Sequence, residues 1–259
     1  MPRALEQRHL RLLAFLEERG EVDAHSLVRE LGVSKSTLRR DLERLEKAGR
    51  LARTFGGARW PEPASLVVRA FGEKRTRMQA EKEMIARAAA RVVEPGMVVA
   101  LDSGTTVWRV AAALKDKAPL TVLTSALAPV EELGAVEGIV IHFVGGRFRP
   151  TNLDFVGSTT VEGYRELHAD LAIVGADSFI PGKGAYSLDE ASAAVAAAVA
   201  GCAERKVVVA DHSKIDAKGC CLILPSKGID FLITDNGIAP AFERRLRDES
   251  FELIVATGE

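Results

Sequence analysis

The stretch Ser34-Lys-Ser-Thr-Leu-Arg-Arg-Asp-Leu-Glu-Arg-Leu45 decides how the front of this chain folds. Its leucines at positions 38, 42 and 45 recur at the spacing of one face of a helix. Ser34 is a good N-cap, because its hydroxyl can accept a hydrogen bond from an amide of the first turn. Gly49 then ends the helix. The stretch predicts a helix with an apolar inner face and a basic outer face.

A second helix is predicted just before this one. Asp23 can cap its start, leucines 27 and 31 form its inner stripe, and Gly32 suits the left-handed closing conformation. A Gly-Val-Ser turn joins it to the next helix, and an earlier helix is predicted over residues 5–19. Two short helices joined in this way form the helix-turn-helix pattern.

The outer face of the third helix has the chemistry of a DNA-reading surface. An arginine can hold guanine or a phosphate through two hydrogen bonds, and serine and threonine hydroxyls donate to phosphates. The predicted DNA contacts from this helix are Ser34, Lys35, Ser36, Thr37, Arg39 and Arg40. The alternative is a solvated basic face without a ligand. Asp41 and Glu43 would be repelled by phosphate, so we expect them to pair with nearby arginines or with the backbone.

Residues 50–59, Arg-Leu-Ala-Arg-Thr-Phe-Gly-Gly-Ala-Arg, are predicted to form two short strands with a glycine pair. Such a hairpin after a helix-turn-helix is a wing. Arg53 and Arg59 could reach the DNA backbone or minor groove from it, or could be surface charges. Arg53 completes the predicted set of DNA contacts.

Charge is unevenly placed along the chain. Residues 1–60 carry 13 Lys and Arg against 9 Asp and Glu, whereas the whole chain has a formal net charge of -1. Only the front segment has the sign that attracts phosphates, so a general nucleic-acid coating protein is disfavoured. With 47% hydrophobic and 27% charged residues, the composition is that of an ordinary globular protein.

The sequence gives no indication of export, a membrane segment or a metal. The first residues lack the apolar core of a signal peptide, so a cytoplasmic location is predicted. The most apolar run, residues 191–203, is Ala-rich and shorter than the ~20 residues of a membrane-spanning helix. We interpret it as a helix that is buried or faces another subunit. Cys202, Cys220 and Cys221 have neither zinc-ligand nor disulfide spacing, and no metal or cofactor is predicted.

The chain is long enough for two domains with separate cores. Two prolines within residues 60–65 oppose helix continuation and mark a boundary. We predict a winged helix-turn-helix domain over residues 1–59, a linker over 60–72 and a larger α/β domain over 73–259. Apolar runs alternating with helices are typical of a parallel sheet covered on both faces. The predicted strands are 98–101, 120–123, 139–144, 171–174, 207–210, 231–233 and 253–255.

Small or ionisable residues follow most of these strands at their C-terminal ends, where open parallel sheets bind ligands. A glycine there lets an anion approach the free amides of the following helix, and threonines add hydroxyl donors. A lysine can neutralise a phosphate, and carboxylates can accept hydrogen bonds from sugar hydroxyls. The predicted effector contacts are Asp102, Ser103, Gly104, Thr105, Thr106, Asp177, Lys183, Asp211 and Lys214. The alternative is that Gly104 and the threonines only cap a helix and that Asp211 pairs with Lys214.

These motifs resemble the DeoR family of bacterial transcription regulators along nearly the whole chain. In the front part the resemblance rests on Ser-x-x-Thr-x-Arg-Arg-Asp-Leu at residues 34–42 and Gly-x-x-x-Arg-x-x-Gly-Gly-Ala at residues 49–58. In the larger domain it rests on Glu81-Lys82, Ile85-Ala86 and residues 101–106, 144–146 and 210–214. It departs at Thr124-Ser125, where the family often has Thr-Asn.

The resemblance implies a Rossmann-like effector domain related to ribose-5-phosphate isomerases, which senses a phosphorylated sugar or polyol. It also implies a repressor that binds operator DNA. We therefore predict a repressor of carbohydrate-metabolism genes that a phosphorylated sugar releases from its operator. Because one helix-turn-helix footprint is small, a homo-oligomer, a dimer or tetramer, is also predicted, with the Ala-rich helix as a candidate contact.

The alternative function is an active sugar-phosphate isomerase. Gly175-Ala-Asp177 followed by Lys183-Gly184 resembles the acid/base segment of those enzymes. Asp177, Glu190 and Lys183 could supply a base and an electrophile. The Gly-rich continuation and the Glu-Lys pair of the isomerases are absent after Gly184, so we predict a regulator rather than an enzyme.

Overall fold

The computed structural model describes residues 2–47, 50–54, 56–59 and 77–258. Contacts divide the chain into two compact units, Met1–Arg69 and Ala70–Glu259. The predicted linker over residues 60–72 and the helix-ending Gly49 lie outside the described residues. No described helix has both the length and the apolar character needed to cross a membrane.

The first unit combines three helices with a small antiparallel sheet. Its helices are α1 (Pro2–Arg19), α2 (Ala24–Leu31) and α3 (Lys35–Lys47). Its strands are β1 (Glu21–Asp23), β2 (Ala52–Thr54) and β3 (Gly57–Arg59), in the order β1-β3-β2. The predicted helix-turn-helix and wing strands are confirmed. Strand β1 was missed, because three residues are too few to show a strand pattern.

Local capping explains where α2 and α3 begin and where α2 ends. The Asp23 carboxylate accepts a hydrogen bond from the Ser26 amide at 3.0 Å. Gly32 closes α2 in the left-handed conformation, with φ of 64°. The Ser34 hydroxyl accepts a hydrogen bond from the Thr37 amide at 3.2 Å. The predicted caps of the helix-turn-helix are thus observed.

A leucine-rich core holds the first unit together, and one glycine allows the wing to pack on it. The core leucines are Leu12, Leu13, Leu16, Leu27, Leu31, Leu38, Leu42, Leu45 and Leu51. At Gly57, a Cβ atom would lie 2.2 Å from the Val22 carbonyl oxygen. Only glycine therefore lets β3 approach β1 this closely.

The second unit is built on a seven-stranded sheet in which all neighbouring strands run parallel. Its strands are β4 (Val98–Leu101), β5 (Leu120–Thr124), β6 (Ile139–Phe143), β9 (Ala169–Gly175), β12 (Ala203–Val209), β14 (Phe231–Asp235) and β15 (Glu252–Ala256). Their order is β15-β14-β12-β9-β4-β5-β6. Each predicted apolar run falls on one of these strands, so the Rossmann-like α/β fold is confirmed.

Helices cover both faces of the sheet. They are α4 (Gln79–Val92), α5 (Thr105–Ala113), α6 (Leu127–Leu133), α7 (Ser158–Arg165), α8 (Glu190–Gly201) and α9 (Pro240–Arg247). Along β9, Leu171 and Ile173 belong to one core cluster, and Ala172 and Val174 to the other. Alternate residues of a strand point to opposite faces, so the two clusters are the two sides of the sheet. The Ala-rich run is α8, and it buries Ala196, Val199 and Ala200 in the second cluster.

Short antiparallel strands surround this framework. Strands β7 (Arg147–Arg149) and β8 (Asp154–Val156) pair as a hairpin. Strands β10 (Ser178–Ile180), β11 (Gly184–Ser187) and β13 (Cys221–Pro225) form a second small sheet in the order β10-β11-β13. None of these five strands was predicted, because most are too short for an alternating pattern to be recognised.

Candidate DNA-binding surface and effector cleft

Helix α3 carries basic and hydroxyl side chains on the side away from its buried leucines. The exposed residues at this surface are Ser34, Lys35, Ser36, Arg39, Arg40 and Arg44, and Thr37 is half-buried. The two-faced helix expected from the sequence is therefore present. Arg44, which the sequence analysis did not include, extends the basic surface by one further turn.

The acidic residues of α3 are paired within the unit. The Asp41 side chain is 2% exposed, accepts a hydrogen bond from Arg8 Nε at 2.6 Å and lies 3.2 Å from His9 Nε2. Burial raises the pKa of Asp41, but the hydrogen bonds from Arg8 and His9 outweigh it and hold this pKa below its usual value. Glu43 accepts a hydrogen bond from Arg39 at 3.0 Å. The expected pairing of both acids with arginines is confirmed.

The candidate DNA-binding arginines differ in how they are held. Arg39 is tied to Glu43, and Arg53 of β2 lies 3.8 Å from Glu43 and 3.7 Å from Glu46. Within the described part of the chain, Arg40 has no ion-pair partner. Arg40 can therefore turn towards a phosphate or a base edge without first breaking an ion pair.

In the second unit, a cleft of about 190 Å³ lies at the C-terminal ends of the central parallel strands. It brings together all the predicted effector residues except one: Asp102, Ser103, Gly104, Thr105, Thr106, Asp177, Asp211 and Lys214. Lys183 follows β10 in an exposed turn and lies outside the cleft, as does the exposed Glu190 at the start of α8. Asp177, Lys183 and Glu190, the acid/base residues of the alternative isomerase function, are therefore not brought together in the cleft.

The amino terminus of α5 opens into this cleft. Gly104 precedes the helix with φ of 107°, and no atom lies within 4 Å of the position that a Cβ would take. The first helical hydrogen bond is donated by the Trp108 amide to the Gly104 carbonyl, at 2.9 Å. The amides of Thr105 and Thr106 come before it and have no acceptor within the helix. They are free to bind an anion.

Two lysines add positive charge to the cleft. Lys214 follows β12 and is half-buried. Lys82 of α4 is 6% exposed, and its Nζ donates a hydrogen bond to the Arg77 carbonyl at 2.6 Å. Burial lowers the pKa of Lys82, and the nearby Asp211 opposes this effect. Only the family resemblance points to Lys82, because nothing in the local sequence pattern indicates that this helical lysine is buried.

The carboxylates of the cleft are held by backbone and hydroxyl donors. Burial raises the pKa of Asp102 to about 7, although its carboxylate accepts a hydrogen bond from the Gly175 amide at 3.3 Å. Asp177 accepts from the Ser187 hydroxyl at 3.0 Å and from the Leu188 amide at 3.1 Å. These contacts leave part of each carboxylate able to accept further bonds.

Asp211 does not form the ion pair with Lys214 that the sequence analysis offered as an alternative. It caps the short 3-10 helix His212–Lys214 by accepting hydrogen bonds from the Ser213 amide, at 3.1 Å, and hydroxyl. Lys214 thus has no ion-pair partner among the described residues. Asn152, Ser187 and Ser192 also line the cleft and were not predicted. Thr124 and Ser125 are buried outside it.

Among the residues that the structure describes, no three His, Cys, Asp or Glu side chains are placed to hold a metal ion together.

The fold and these two sites define a DNA-binding regulator with a separate ligand-sensing unit. Residues 8–64 match the DeoR-like helix-turn-helix domain, and residues 77–236 match the DeoR C terminal sensor domain. The chain belongs to the DeoR family of transcriptional regulators.

Curated relatives match along almost their whole length. The transcriptional repressor AccR of Agrobacterium fabrum is 31% identical over 92% of both chains. The HTH-type transcriptional repressor GlcR of Bacillus subtilis is 31% identical over 96% of both chains. A putative aga operon transcriptional repressor of Escherichia coli O157:H7 is 29% identical over 96% of this chain and 93% of its own. The predicted class, a transcriptional regulator of the DeoR family rather than an enzyme, is confirmed.

Solved structures resemble this chain only distantly. Ribose 5-phosphate isomerase A of Methanocaldococcus jannaschii is 18% identical over 53% of this chain and 55% of its own, with a TM-score of 0.41. The translation initiation factor eIF-2B of Pyrococcus horikoshii is 19% identical over 84% of this chain and 74% of its own, with a TM-score of 0.40.

Proposed function

We propose that this chain represses genes of carbohydrate metabolism by binding operator DNA through α3 and the wing, and that a phosphorylated sugar in the cleft releases it. The observation that carries the proposal is the meeting, in one cleft, of a free helix amino terminus, two lysines and several carboxylates. A sugar phosphate needs positively polarised groups for its anionic phosphate. It also needs hydrogen-bond acceptors, such as carboxylates, for its hydroxyls.

The phosphate would lie at the start of α5. Free amides and the helix dipole favour an anion there, and Thr105 and Thr106 supply hydroxyl donors. Lys82 and Lys214 are close enough to each other to interact electrostatically. A dianion between them would relieve that repulsion, so both lysines favour a phosphate over a neutral group.

The sugar hydroxyls would be bound by the carboxylates and amides around the phosphate position. Asp102 and Asp177 accept hydrogen bonds, and Asn152 both donates and accepts them. Three of the relatives match along more than nine-tenths of their length and are named as repressors. One of them is named for the aga operon. A regulator that binds operator DNA works where the genome is, which supports a cytoplasmic location for this chain.

The test begins with selection of the bound sequence from a pool of random duplexes. Release of the purified full chain from that duplex is then titrated with ribose 5-phosphate, other phosphorylated sugars, their unphosphorylated forms and inorganic phosphate. We expect release by at least one phosphorylated sugar and by none of the unphosphorylated forms. Release by an unphosphorylated sugar alone would refute the phosphate site.

Two matched variants locate the site. Lys214→Met removes a charge inside the cleft, and Lys183→Met removes the same charge outside it. We expect the first variant to bind the duplex normally but to need about tenfold more ligand for release, because a charge-assisted contact is lost. The second should respond like the parent. Equal responses of the two variants would exclude the cleft as the effector site.

A further inference from the structure

Two adjacent cysteines at the start of β13 have their sulfur atoms in contact. The Sγ atoms of Cys220 and Cys221 are 3.5 Å apart. Successive residues of a strand direct their side chains to opposite faces, so adjacent cysteines within a strand do not meet. Here the strand begins at Cys221, and the irregular backbone that ends at Cys220 brings the two thiols together. The spacing of the cysteines in the sequence indicated no disulfide.

The two thiols differ in their access to solvent. Cys220 is exposed and Cys221 is half-buried, so a reagent in solution reaches Cys220 first. The hydrogen bond with Cys220 raises the pKa of Cys221, and the carboxylates of Glu190 and Asp189 act in the same direction. Cys221 therefore stays protonated near neutral pH. Because the thiolate is the reactive form, Cys220 is the thiol that reacts first and Cys221 is its partner.

The Cys220 thiol is connected to the effector cleft. Its Sγ donates hydrogen bonds to the carbonyls of Ser187 and Leu188, at 3.7 and 3.6 Å. The Ser187 hydroxyl and the Leu188 amide in turn donate to the carboxylate of Asp177, which lines the cleft. A change at the Cys220 thiol therefore reaches Asp177 through a single intervening residue.

We infer that Cys220 and Cys221 form an oxidation site, at which a hydroperoxide converts the two thiols into a disulfide. The Cys220 thiolate attacks one peroxide oxygen, the O–O bond breaks, and Cys220 becomes a sulfenic acid. The Cys221 sulfur then attacks the Cys220 sulfur, loses its proton and expels water. With hydrogen peroxide, two thiols give one disulfide and two water molecules, and the two electrons lost by sulfur reduce the peroxide.

The disulfide between adjacent residues is strained and therefore readily reduced. Adjacent Cα atoms lie about 3.8 Å apart, whereas those of ordinary disulfides are about 4.4 to 6.8 Å apart. The S–S bond of about 2.0 Å also requires the two sulfur atoms to approach by about 1.5 Å. Strained or exposed disulfides are the labile and regulatory ones. The site thus suits a reversible response to peroxide and not a permanent cross-link.

Closure of this disulfide disturbs the strand end that holds Asp177. It draws the Cys220 sulfur away from the Ser187 and Leu188 carbonyls. It also strains the backbone where Cys220 donates to the Ser187 carbonyl, at 3.1 Å, and where Cys221 pairs with Ser187. We therefore expect oxidation to loosen the contacts of Asp177. The oxidation site goes beyond the proposed function, and only its effect on a sugar phosphate rests on that function.

Mass spectrometry of the full chain tests the oxidation. The reduced protein is treated with hydrogen peroxide, unfolded, alkylated and digested. We expect the peptide with Cys220 and Cys221 to be two hydrogen atoms lighter and not alkylated, and dithiothreitol to reverse this change. Cys202 is buried and donates to the Val199 carbonyl, so it should remain a free thiol. Alkylation of both adjacent cysteines, a disulfide between two chains, or sulfinic acid without a disulfide would overturn the inference.

Matched variants separate the pair from the third cysteine. Cys221→Ser and Cys202→Ser each remove one thiol. We expect the first variant to form no disulfide and to accumulate the Cys220 sulfenic acid, which dimedone traps. The second should form the disulfide as the parent does. An intramolecular disulfide in the Cys221 variant, or none in the Cys202 variant, would contradict the assignment.

Hydrogen exchange of the reduced and the oxidised parent tests the link to the cleft. We expect the Leu188 amide, which donates to Asp177, to exchange about tenfold faster after oxidation. The amides of β15 serve as an internal control and should not change. Equal exchange of Leu188 in both forms would show that the disulfide does not act on Asp177. No sugar phosphate is present in this experiment, so its failure is distinct from a failure of the proposed effector.

Discussion

The Nζ atom of Lys82 donates a hydrogen bond of 2.6 Å to the main-chain carbonyl of Arg77, and both residues line the effector cleft. A phosphate in the cleft would compete with that carbonyl for the ammonium group. We therefore expect Lys82→Met to weaken ligand binding about tenfold or more, because it removes a charge-assisted contact. The change lies in the sensor unit, so binding of the selected duplex should persist.

Calorimetry with ribose 5-phosphate and with inorganic phosphate would measure the effect of Lys82→Met. Lys183→Met is the control, since it removes the same charge from an exposed turn outside the cleft. Unchanged affinity of the Lys82 variant for both probes would show that this lysine only supports the backbone.

Arg40 is an arginine of α3 that is free to make a DNA contact. It is exposed and has no ion-pair partner among the described residues, whereas Arg39 must first leave Glu43. Arg40→Ala should weaken operator binding by about 1 to 3 kcal/mol. Titration of the selected duplex at fixed salt checks this, with Arg244→Ala on α9 as a control of equal charge. If the Arg40 variant bound the duplex as tightly as the parent, Arg40 would not be part of the DNA-binding surface.

Asp41 joins α1 to α3 through Arg8 and His9. Its pKa lies below the usual value, so its contribution to stability is present above about pH 4 and is lost as the pH falls through the folded-state value. Asp41→Ala should lower the free energy of unfolding of the first unit by about 1 to 3 kcal/mol. Hydrogen exchange of the α3 amides measures this unit alone. Exchange as slow as in the parent would contradict the role of Asp41.

Because of Asp102, we expect the stability of the sensor unit to depend on pH in the opposite direction. Its pKa is raised to about 7 by burial, so the folded state keeps a proton that the unfolded chain loses near pH 4. The free energy of unfolding should therefore fall as the pH rises from about 4 to 7, by up to about 4 kcal/mol. Asp102→Asn should remove this slope. Urea unfolding followed through the buried Trp108 tests it, and an unchanged slope in the variant would exclude Asp102 as its source.

The parts of the fold that could be predicted from the sequence are those fixed by local chemistry. Asp23, Gly32 and Ser34 cap helices through neighbours within three or four residues, so their roles are visible in the sequence. The seven parallel strands are buried on both sides and appear as continuous apolar runs. The exposed arginines of α3 could be recognised because the leucine spacing of the helix defines its inner face.

The features that could not be predicted from the sequence depend on contacts between residues that are distant along the chain. Lys82 is buried because α4 packs beside the strand that leads to Asp211, and no spacing within α4 indicates this. Lys183 was expected in the cleft because Gly175-Ala-Asp177 followed by Lys183-Gly184 resembles the acid/base segment of the isomerases. In the structure, β10 and the turn after it carry Lys183 away from the cleft. Strand β1 exists only because β3 pairs with it at Val22 and Gly57.

The order of strands in the central sheet has a consequence for synthesis of the protein. Strand β4 pairs with β9, so that Val99 lies beside Leu171, and β9 in turn pairs with β12. The middle of the sheet therefore stays incomplete until the ribosome has passed β12, and such long-range pairing is slow. The described contacts of the helix-turn-helix and wing lie within residues 2–59, which emerge first. We expect the DNA-reading unit of each nascent chain to fold well before its sensor.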